Sequence, residues 1–415
     1  MHFFKKLKQK KQFNKFKKIF NNNQIDHFFE GHKFKNSIEK DIFDYYKKEE
    51  QYSFKNFDKN IFLEPLFDIY MNNFIEHNTE HYKYLEKFKE KFAFLYLEEY
   101  SNNTHKNKIF GSLFGLVVGD ALGTTLEFQP RDNSYTLTEI KGGGILNLDA
   151  GDWTDDTSMT LCIVDSLIKE HKNTKGKNAF NLKTQIDNYI KWYQEGFLST
   201  NDRCVDIGMT VRNGLEYYQR TNTIKAGHNN IKASGNGSIM RLAPVPLYFK
   251  DNFKEAVIRS KESSETTHRS PLCIEGCAYF GAIINIALNQ SDYTKDDILF
   301  SDKIKNLNFS QSEIISIVDG SAWRNLTYEE LPNTGYVIDT LIAALWCFYY
   351  SENFEYGLIK AVNLAGDADT IGAVYGQIAG VFYGFDNIPK RWISILSKKE
   401  MLFSMFNDFY NLNNK

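Results

Sequence analysis

Over residues 1 to about 105, aromatic and charged positions alternate at helical spacing, as in Tyr82, Leu85, Phe88, Phe92 and Leu95. Glycine is nearly absent there and Pro65 is the single proline. A three-to-four-residue apolar period puts one apolar stripe on each segment, so several amphipathic helices are predicted. The polar run Ser101-Asn102-Asn103-Thr104-His105-Lys106-Asn107-Lys108 reads as a linker.

From Ile109 the pattern changes. Gly111, Gly115, Gly119 and Gly123 recur every four residues inside an apolar run, and Gly372, Gly376, Gly380 and Gly384 do the same near the other end. A four-residue step keeps residues on one helix face. Each glycine weakens a helix by roughly 1 kcal/mol relative to alanine, so stripes of them predict close backbone packing, with the two glycine helices against each other. Further helices are expected at Ser158–Glu170, Gln185–Glu195, Asp206–Tyr218, Pro271–Leu288 and Tyr336–Tyr350. Tyr135–Leu148, with Gly142-Gly143-Gly144, reads as a loop, and alternating strand patterns are scarce. The fold class expected is all-α, with residues 1–105 as a helical extension and residues 106–415 as a compact multi-helix domain.

Composition adds limits. The 415 residues are 42% hydrophobic, enough for a sizeable core, and the net charge of -2 gives no reason to expect a nucleic acid partner. Five widely spaced cysteines, Cys162, Cys204, Cys273, Cys277 and Cys347, argue against a disulfide framework and for buried thiols in a reducing, cytoplasmic setting. No run of eighteen or more apolar residues marks a transmembrane segment. Met1–Phe20 is rich in lysine and phenylalanine and has no acidic residue. It suits either a solvated tail or a basic amphipathic helix for a membrane surface or acidic partner.

Candidate chemistry concentrates in two acidic segments about two hundred residues apart, Trp153-Thr154-Asp155-Asp156-Thr157 and Gly366-Asp367-Ala368-Asp369-Thr370. Each puts two carboxylates and a threonine at a predicted helix start. One such segment alone reads as helix capping. Two of them in apolar flanks are better explained by cations, because buried carboxylates without partners are costly. Six hard oxygen donors from Thr154, Asp155, Asp156, Asp367, Asp369 and Thr370 suit a pair of Mg²⁺ or Mn²⁺ ions rather than zinc. If the segments meet, the chain is a metal-dependent hydrolase.

Weaker signals accompany them. Ser234-Gly235-Asn236-Gly237-Ser238-Ile239-Met240-Arg241 is a glycine-rich turn leading into a predicted helix, able to cradle a phosphate or simply to turn. His268, in Thr267-His268-Arg269, is balanced between a structural and a ligand-binding role. Asp206 is a candidate base or a helix cap, Glu127 alone a surface residue, and Asp120 a buried acceptor of backbone hydrogen bonds.

The order of these motifs resembles the ADP-ribosylglycohydrolase family, of the dinitrogenase reductase-activating and ADP-ribosylarginine hydrolase type. The resemblance runs from Ile109 to Gly384 through Gly111–Phe128, Gly151–Thr157, Asp206-Ile207-Gly208, Asn236–Arg241, Thr267-His268 and Val362–Thr370. It implies an all-helical domain with two Mg²⁺ or Mn²⁺ ions in a cleft, held by Thr154, Asp155, Asp156, Asp367, Asp369 and Thr370. It implies a substrate diphosphate on the Asn236-Gly237-Ser238 turn, His268 near the ligand, and Glu127 close to the metals or gating the site. Asp206 matches an acidic position associated with arginine-directed members, so Asp155, Asp156, Asp206 and Glu127 become the candidate catalytic carboxylates. The implied substrate is a protein carrying ADP-ribose, arginine-linked by preference. Serine-linked ADP-ribose, other small ADP-ribosyl conjugates and modified nucleic acid remain open. Some relatives protect against ADP-ribosylating toxins, so residues 1–105 are also a candidate arm that binds an ADP-ribosyltransferase toxin. That alternative role, immunity by neutralisation, holds with or without hydrolase activity.

Overall fold

The computed structural model separates into two units, Met1–Glu98 and Glu99–Lys415. It describes residues 104–413 apart from Asn133, Asn178, Ser291 and Asp292, and Phe43 alone in the first unit. The helices and the toxin-binding arm expected in residues 1–105 therefore lie outside the described residues, save Thr104 and His105.

The second unit is all-α, as expected. Its longer helices are α1 (Thr104–Gly123), α2 (Asp155–Thr174), α3 (Leu182–Glu195), α4 (Met209–Thr221), α5 (Phe253–Glu265), α6 (Pro271–Asn289), α7 (Val337–Tyr349), α8 (Phe354–Val362), α9 (Ala368–Tyr383) and α10 (Lys399–Tyr410). Among the described residues β-pairing is confined to isolated bridges, of which Glu127 with Gly366 and His228 with His268 bear on the site. Two expectations need correction. Thr104–Lys108 belongs to the first turns of α1 rather than to a linker, because Asn107 accepts from Asp386 N and Lys108 donates to Ala287 O, which tie the segment to the buried apolar run that follows. The helix expected from Asp206 starts at Met209, with Gly208 as N-cap, since Asp206 itself has a left-handed φ of 55°.

The two glycine stripes meet, in antiparallel order. A Cβ placed on Gly111, Gly115 or Gly119 would lie 2.2, 2.2 or 2.1 Å from the carbonyl oxygens of Gly380, Gly376 and Gly372 respectively. A Cβ on Gly123 would lie 2.4 Å from the Cα of Asp369. Only residues without a side chain allow two helix backbones to approach this closely. The contact also leaves Ser112 Oγ donating to Gln377 O at 2.9 Å across the pair.

Around this seam the core fills with apolar side chains. Phe110 and Phe114 of α1 pack against Phe385 and against Phe403 and Phe406 of α10, with ring centroids 4.4 to 6.5 Å apart. α6 is long and apolar enough to cross a membrane by length and composition, but most of it is buried inside this domain. It lies against α5, where Gly281 leaves room for the Ser260 side chain. All five cysteines are free, and Cys204 alone among them is not fully buried.

The seam predicts a sharp asymmetry between glycines. Gly376→Ala forces a methyl to within 2.0 Å of Gly115 O, and should cost about 2 kcal/mol or more by overpacking. Gly208→Ala, with nothing within 4 Å of its Cβ position, should cost only the roughly 0.5–1 kcal/mol that alanine loses against glycine at an N-cap. Urea denaturation of both variants checks this.

Candidate active site

The glycine seam delivers both acidic segments to one place. α1 ends at Gly123 beside Asp369, the second residue of α9, and its buried Asp120 reaches the start of α2. Asp120 accepts from Thr154 N and Thr154 Oγ1 at 3.0 Å, from Thr157 N at 3.0 Å and from Thr157 Oγ1 at 2.7 Å. It thereby satisfies the exposed N–H groups of the α2 N-terminus from outside the helix. Thr154 occupies the N-cap position but makes no capping bond of its own. Its hydroxyl lies instead 3.3 Å from Asp156 Oδ2 and 3.2 Å from Asp369 Oδ2. Thr154 is thus the N-cap by position and Asp155 and Asp156 lie in the first turn, without a threonine capping bond, and the buried-acceptor reading of Asp120 holds.

Across the seam, Thr370 Oγ1 donates to Asp156 Oδ2 at 3.3 Å, and Thr370 N to Asp369 Oδ1 at 2.7 Å. Glu127 is buried rather than on the surface. The bridge between residues 127 and 366 brings Phe128 N to 2.7 Å from Gly366 O and Gly366 N to 2.9 Å from Gln129 O. Glu127 Oε2 consequently accepts from Asp369 N at 3.3 Å. Asp367 is held by Asn236 Nδ2 at 2.6 Å, and the same amide reaches Thr340 Oγ1 at 2.9 Å. All six expected oxygen-donor residues, with Glu127, are thus gathered at the meeting point of α1, α2 and α9. A cleft of about 440 Å³ opens over them, lined by Glu127, Asp155, Asp206, Asn236, Asp367 and Thr370 among others.

So many carboxylates in one buried place disturb each other's ionisation. Burial pushes Asp155, Asp156 and Asp369 well above the usual carboxylate range, and neighbouring carboxylates add to the shift. Glu127 is raised in the same way, by burial and then by Asp369. Burial raises Asp120 to about 6 against its hydrogen bonds, and burial followed by Asp367 raises Asp206 to about 6. Among the described residues no lysine, arginine or histidine forms an ion pair with any of them.

These residues fit divalent cations. Asp156 Oδ1 is buried and has no hydrogen-bond partner. Oxygens of Asp120, Asp156 and Asp369 lie within 4.8 Å of one another, as do those of Glu127, Asp206 and Asp369. An all-oxygen donor set of high negative charge matches Mg²⁺ or Mn²⁺. Asp120 belongs to the first of these groups by distance, yet its oxygens are already engaged by Thr154 and Thr157. Its place is therefore to position α2 rather than to face an ion.

The Asn236–Ser238 turn forms the wall of the cleft, with one difference from expectation. It does not enter a helix directly: Ile239 N and Met240 N close one turn on Asn236 O, and a five-residue helix begins only at Pro244. Three groups hold it in roles that the sequence pattern does not show. Gln377 of α9 donates to Ile239 O at 3.1 Å and Met240 O at 2.7 Å, and accepts from Ala243 N at 2.7 Å. Cys273 and Cys277 of α6 touch Gly235 O and Ser238 Oγ at 3.3 and 3.4 Å. Arg241, fully buried, stacks over Tyr189 at 4.6 Å and donates to Thr267 Oγ1 at 2.6 Å. That donation turns the Thr267 hydroxyl toward His268 Nδ1, 2.8 Å away. Burial and then the Arg241 charge lower His268 to about 3, so its ring is neutral. The ring lies against the turn, since a Cβ on Gly237 would be 2.9 Å from His268 Cε1. A polar residue in an apolar helix (Gln377) and an arginine between Met240 and Leu242 were the available signals.

Comparison with known proteins agrees with this architecture. A family model described as ADP-ribosylglycohydrolase matches residues 101–415. An ADP-ribosylarginine hydrolase Tri1 from Serratia proteamaculans is 35% identical over 296 residues, covering 71% of this chain and 77% of the relative. An ADP-ribosyl-[dinitrogen reductase] glycohydrolase from Rhodospirillum rubrum is 28% identical over 299 residues, 71% of this chain and 91% of the relative. A solved structure titled ADP-ribosylglycohydrolase-related protein complex superposes with a TM-score of 0.64 at 34% identity, covering 74% of this chain and 98% of the other.

The raised carboxylates carry a stability signature. A folded pKa near 6 for Asp120 and Asp206, above the unfolded 3.8, gives stability that is fully present below the unfolded value and is lost as pH rises through 6. In chelator, the thermal midpoint should therefore rise as pH falls from 7.5 toward 5.5, and Asp206→Asn should flatten that rise. Adding Mg²⁺ or Mn²⁺ at pH 7.5 should raise the midpoint, because an ion bound only by the folded state stabilises it. Thermal scans with and without metal check both.

Proposed function

This chain belongs to the ADP-ribosylglycohydrolase family and is a glycohydrolase enzyme, and on that premise we propose that it removes ADP-ribose from modified arginine side chains in a divalent-metal-dependent reaction. The single observation that carries this reading is the convergence of Thr154, Asp155, Asp156, Asp367, Asp369 and Thr370 under one cleft, with Asp206 at its side. The likeness to an ADP-ribosylarginine hydrolase supports the arginine linkage.

In this account the six oxygen-donor residues would hold two Mg²⁺ or Mn²⁺ ions, which would supply positive charge for binding ribose hydroxyls and for activating water. The protein's own groups do the rest. The Asn236-Gly237-Ser238 turn offers backbone N–H groups to the diphosphate, and the neutral His268 ring lines the cleft beside it. Departure of the arginine nitrogen leaves positive charge on the sugar ring, which the carboxylates of Asp155, Asp206 and Glu127 stabilise. Asp206, half-buried at the cleft wall, is the group placed to take the water's proton or return one to the leaving nitrogen.

A second reading concerns the residues ahead of the family match, which begins at 101. The basic, aromatic Met1–Phe20 run favours residues 1–105 as an arm that binds a partner, an ADP-ribosyltransferase toxin being the proposed one.

Asp155→Ala and Asp369→Ala should each lower ADP-ribose release from an arginine-modified protein by about a hundred- to a thousandfold, the range seen when an electrostatic group is removed from a reacting centre. Release assays with matched folded protein check this. Near wild-type rates in either variant, with metal supplied, would sink the assignment.

A further inference from the structure

Phe128 follows the buried Glu127 and stands apart from every other aromatic residue near the cleft. Its φ is 58°, in the left-handed region, where a bulky aromatic is a genuine outlier. Such a conformation costs of order 1–3 kcal/mol and persists only where the surroundings impose it. Here the imposing bonds are Phe128 N to Gly366 O at 2.7 Å and Gln129 N to Leu126 O at 3.0 Å. The ring gains little in return, because Phe128 is 58% exposed, and burial is what normally offsets such a cost for an aromatic.

The ring nevertheless lines the cleft. Among the described residues, Phe128 and Met209, the latter 78% exposed, are the large exposed apolar side chains on its lining. The acid-rich floor takes the sugar under the proposed function, so the acceptor side chain must leave past this apolar rim. A planar guanidinium beside an aromatic face is attracted by the ring quadrupole and stacks well. A hydroxyl-linked acceptor such as serine offers no such group.

We propose that Phe128 is the specificity-determining residue for the arginine acceptor, its exposed ring stacking on the guanidinium as that group enters and leaves the cleft, with Met209 as the second apolar contact. The inference rests on the arginine reading above and deepens it.

Three variants of the full-length, metal-loaded enzyme test it. Phe128→Leu should raise KM for an arginine-ADP-ribosylated peptide about fivefold, the factor a single cation–aromatic contact supplies, and leave kcat within about twofold. Phe128→Tyr should restore KM. The Kd for free ADP-ribose, which lacks the acceptor, should stay unchanged in both. Phe128→Gly should leave the thermal midpoint unchanged or raise it, because glycine relieves the left-handed strain, while raising KM as leucine does. An unchanged KM in Phe128→Leu, with the wild type active on the arginine peptide, overturns this inference alone. A raised KM matched by an equally weakened ADP-ribose Kd, or by a lowered midpoint in Phe128→Gly, also overturns it, in favour of a general packing role. A wild type that acts only on serine-linked substrate overturns both this inference and the arginine reading.

Discussion

The site depends on two helix backbones touching. Gly111, Gly115 and Gly119 face Gly380, Gly376 and Gly372 with no room for a methyl between them. The contact does more than fill space. It sets Asp120 and Gly123, at the end of α1, against Asp369 at the start of α9. Asp120 then gathers the first turn of α2 through four hydrogen-bonding groups of Thr154 and Thr157. Segments about two hundred residues apart in the chain become one cluster. Larger residues in the seam would separate the helices by several ångströms, and the carboxylates would no longer face one another.

The cluster is built against its own electrostatics. Buried carboxylates repel each other and lose hydration, and each is raised in pKa as a result. Divalent cations would relieve this repulsion, as protonation does in their absence. The threonine hydroxyls, the Asn236 amide and the backbone N–H of Asp369 hold the acids in place. The cleft wall is fixed independently, by Gln377 from within the glycine helix and by the buried Arg241–Thr267–His268 chain. Rigid support of this kind is what orientation of a reacting sugar requires.

Much of this was legible in the sequence, for physical reasons. A four-residue glycine repeat has few explanations other than close helix packing, and it pointed directly to the α1–α9 pair. Paired carboxylates in apolar flanks point to one acidic cluster able to hold cations, and the two segments do meet. Other features were not legible because they arise only from tertiary contacts. Glu127 looked like a surface residue until its bridge with Gly366 buried it. Asp206 reads as a candidate base or a helix cap in the sequence, and its left-handed backbone sets it outside the helix. Lys106 and its neighbours looked like a linker because polarity alone does not separate a solvated first turn from a loop. Gln377 and Arg241 were visible as polar residues in apolar runs, but nothing local said which backbone groups they would hold.

The central claim is that the two acidic helix starts form one binuclear centre. Anomalous diffraction from crystals of the full-length protein grown with Mn²⁺ tests it most directly. The account predicts two manganese peaks in the same cleft, one or both contacted by residues from Thr154–Asp156 and from Asp367–Thr370. Manganese bound by only one of these segments, or found solely elsewhere on the protein, would contradict it.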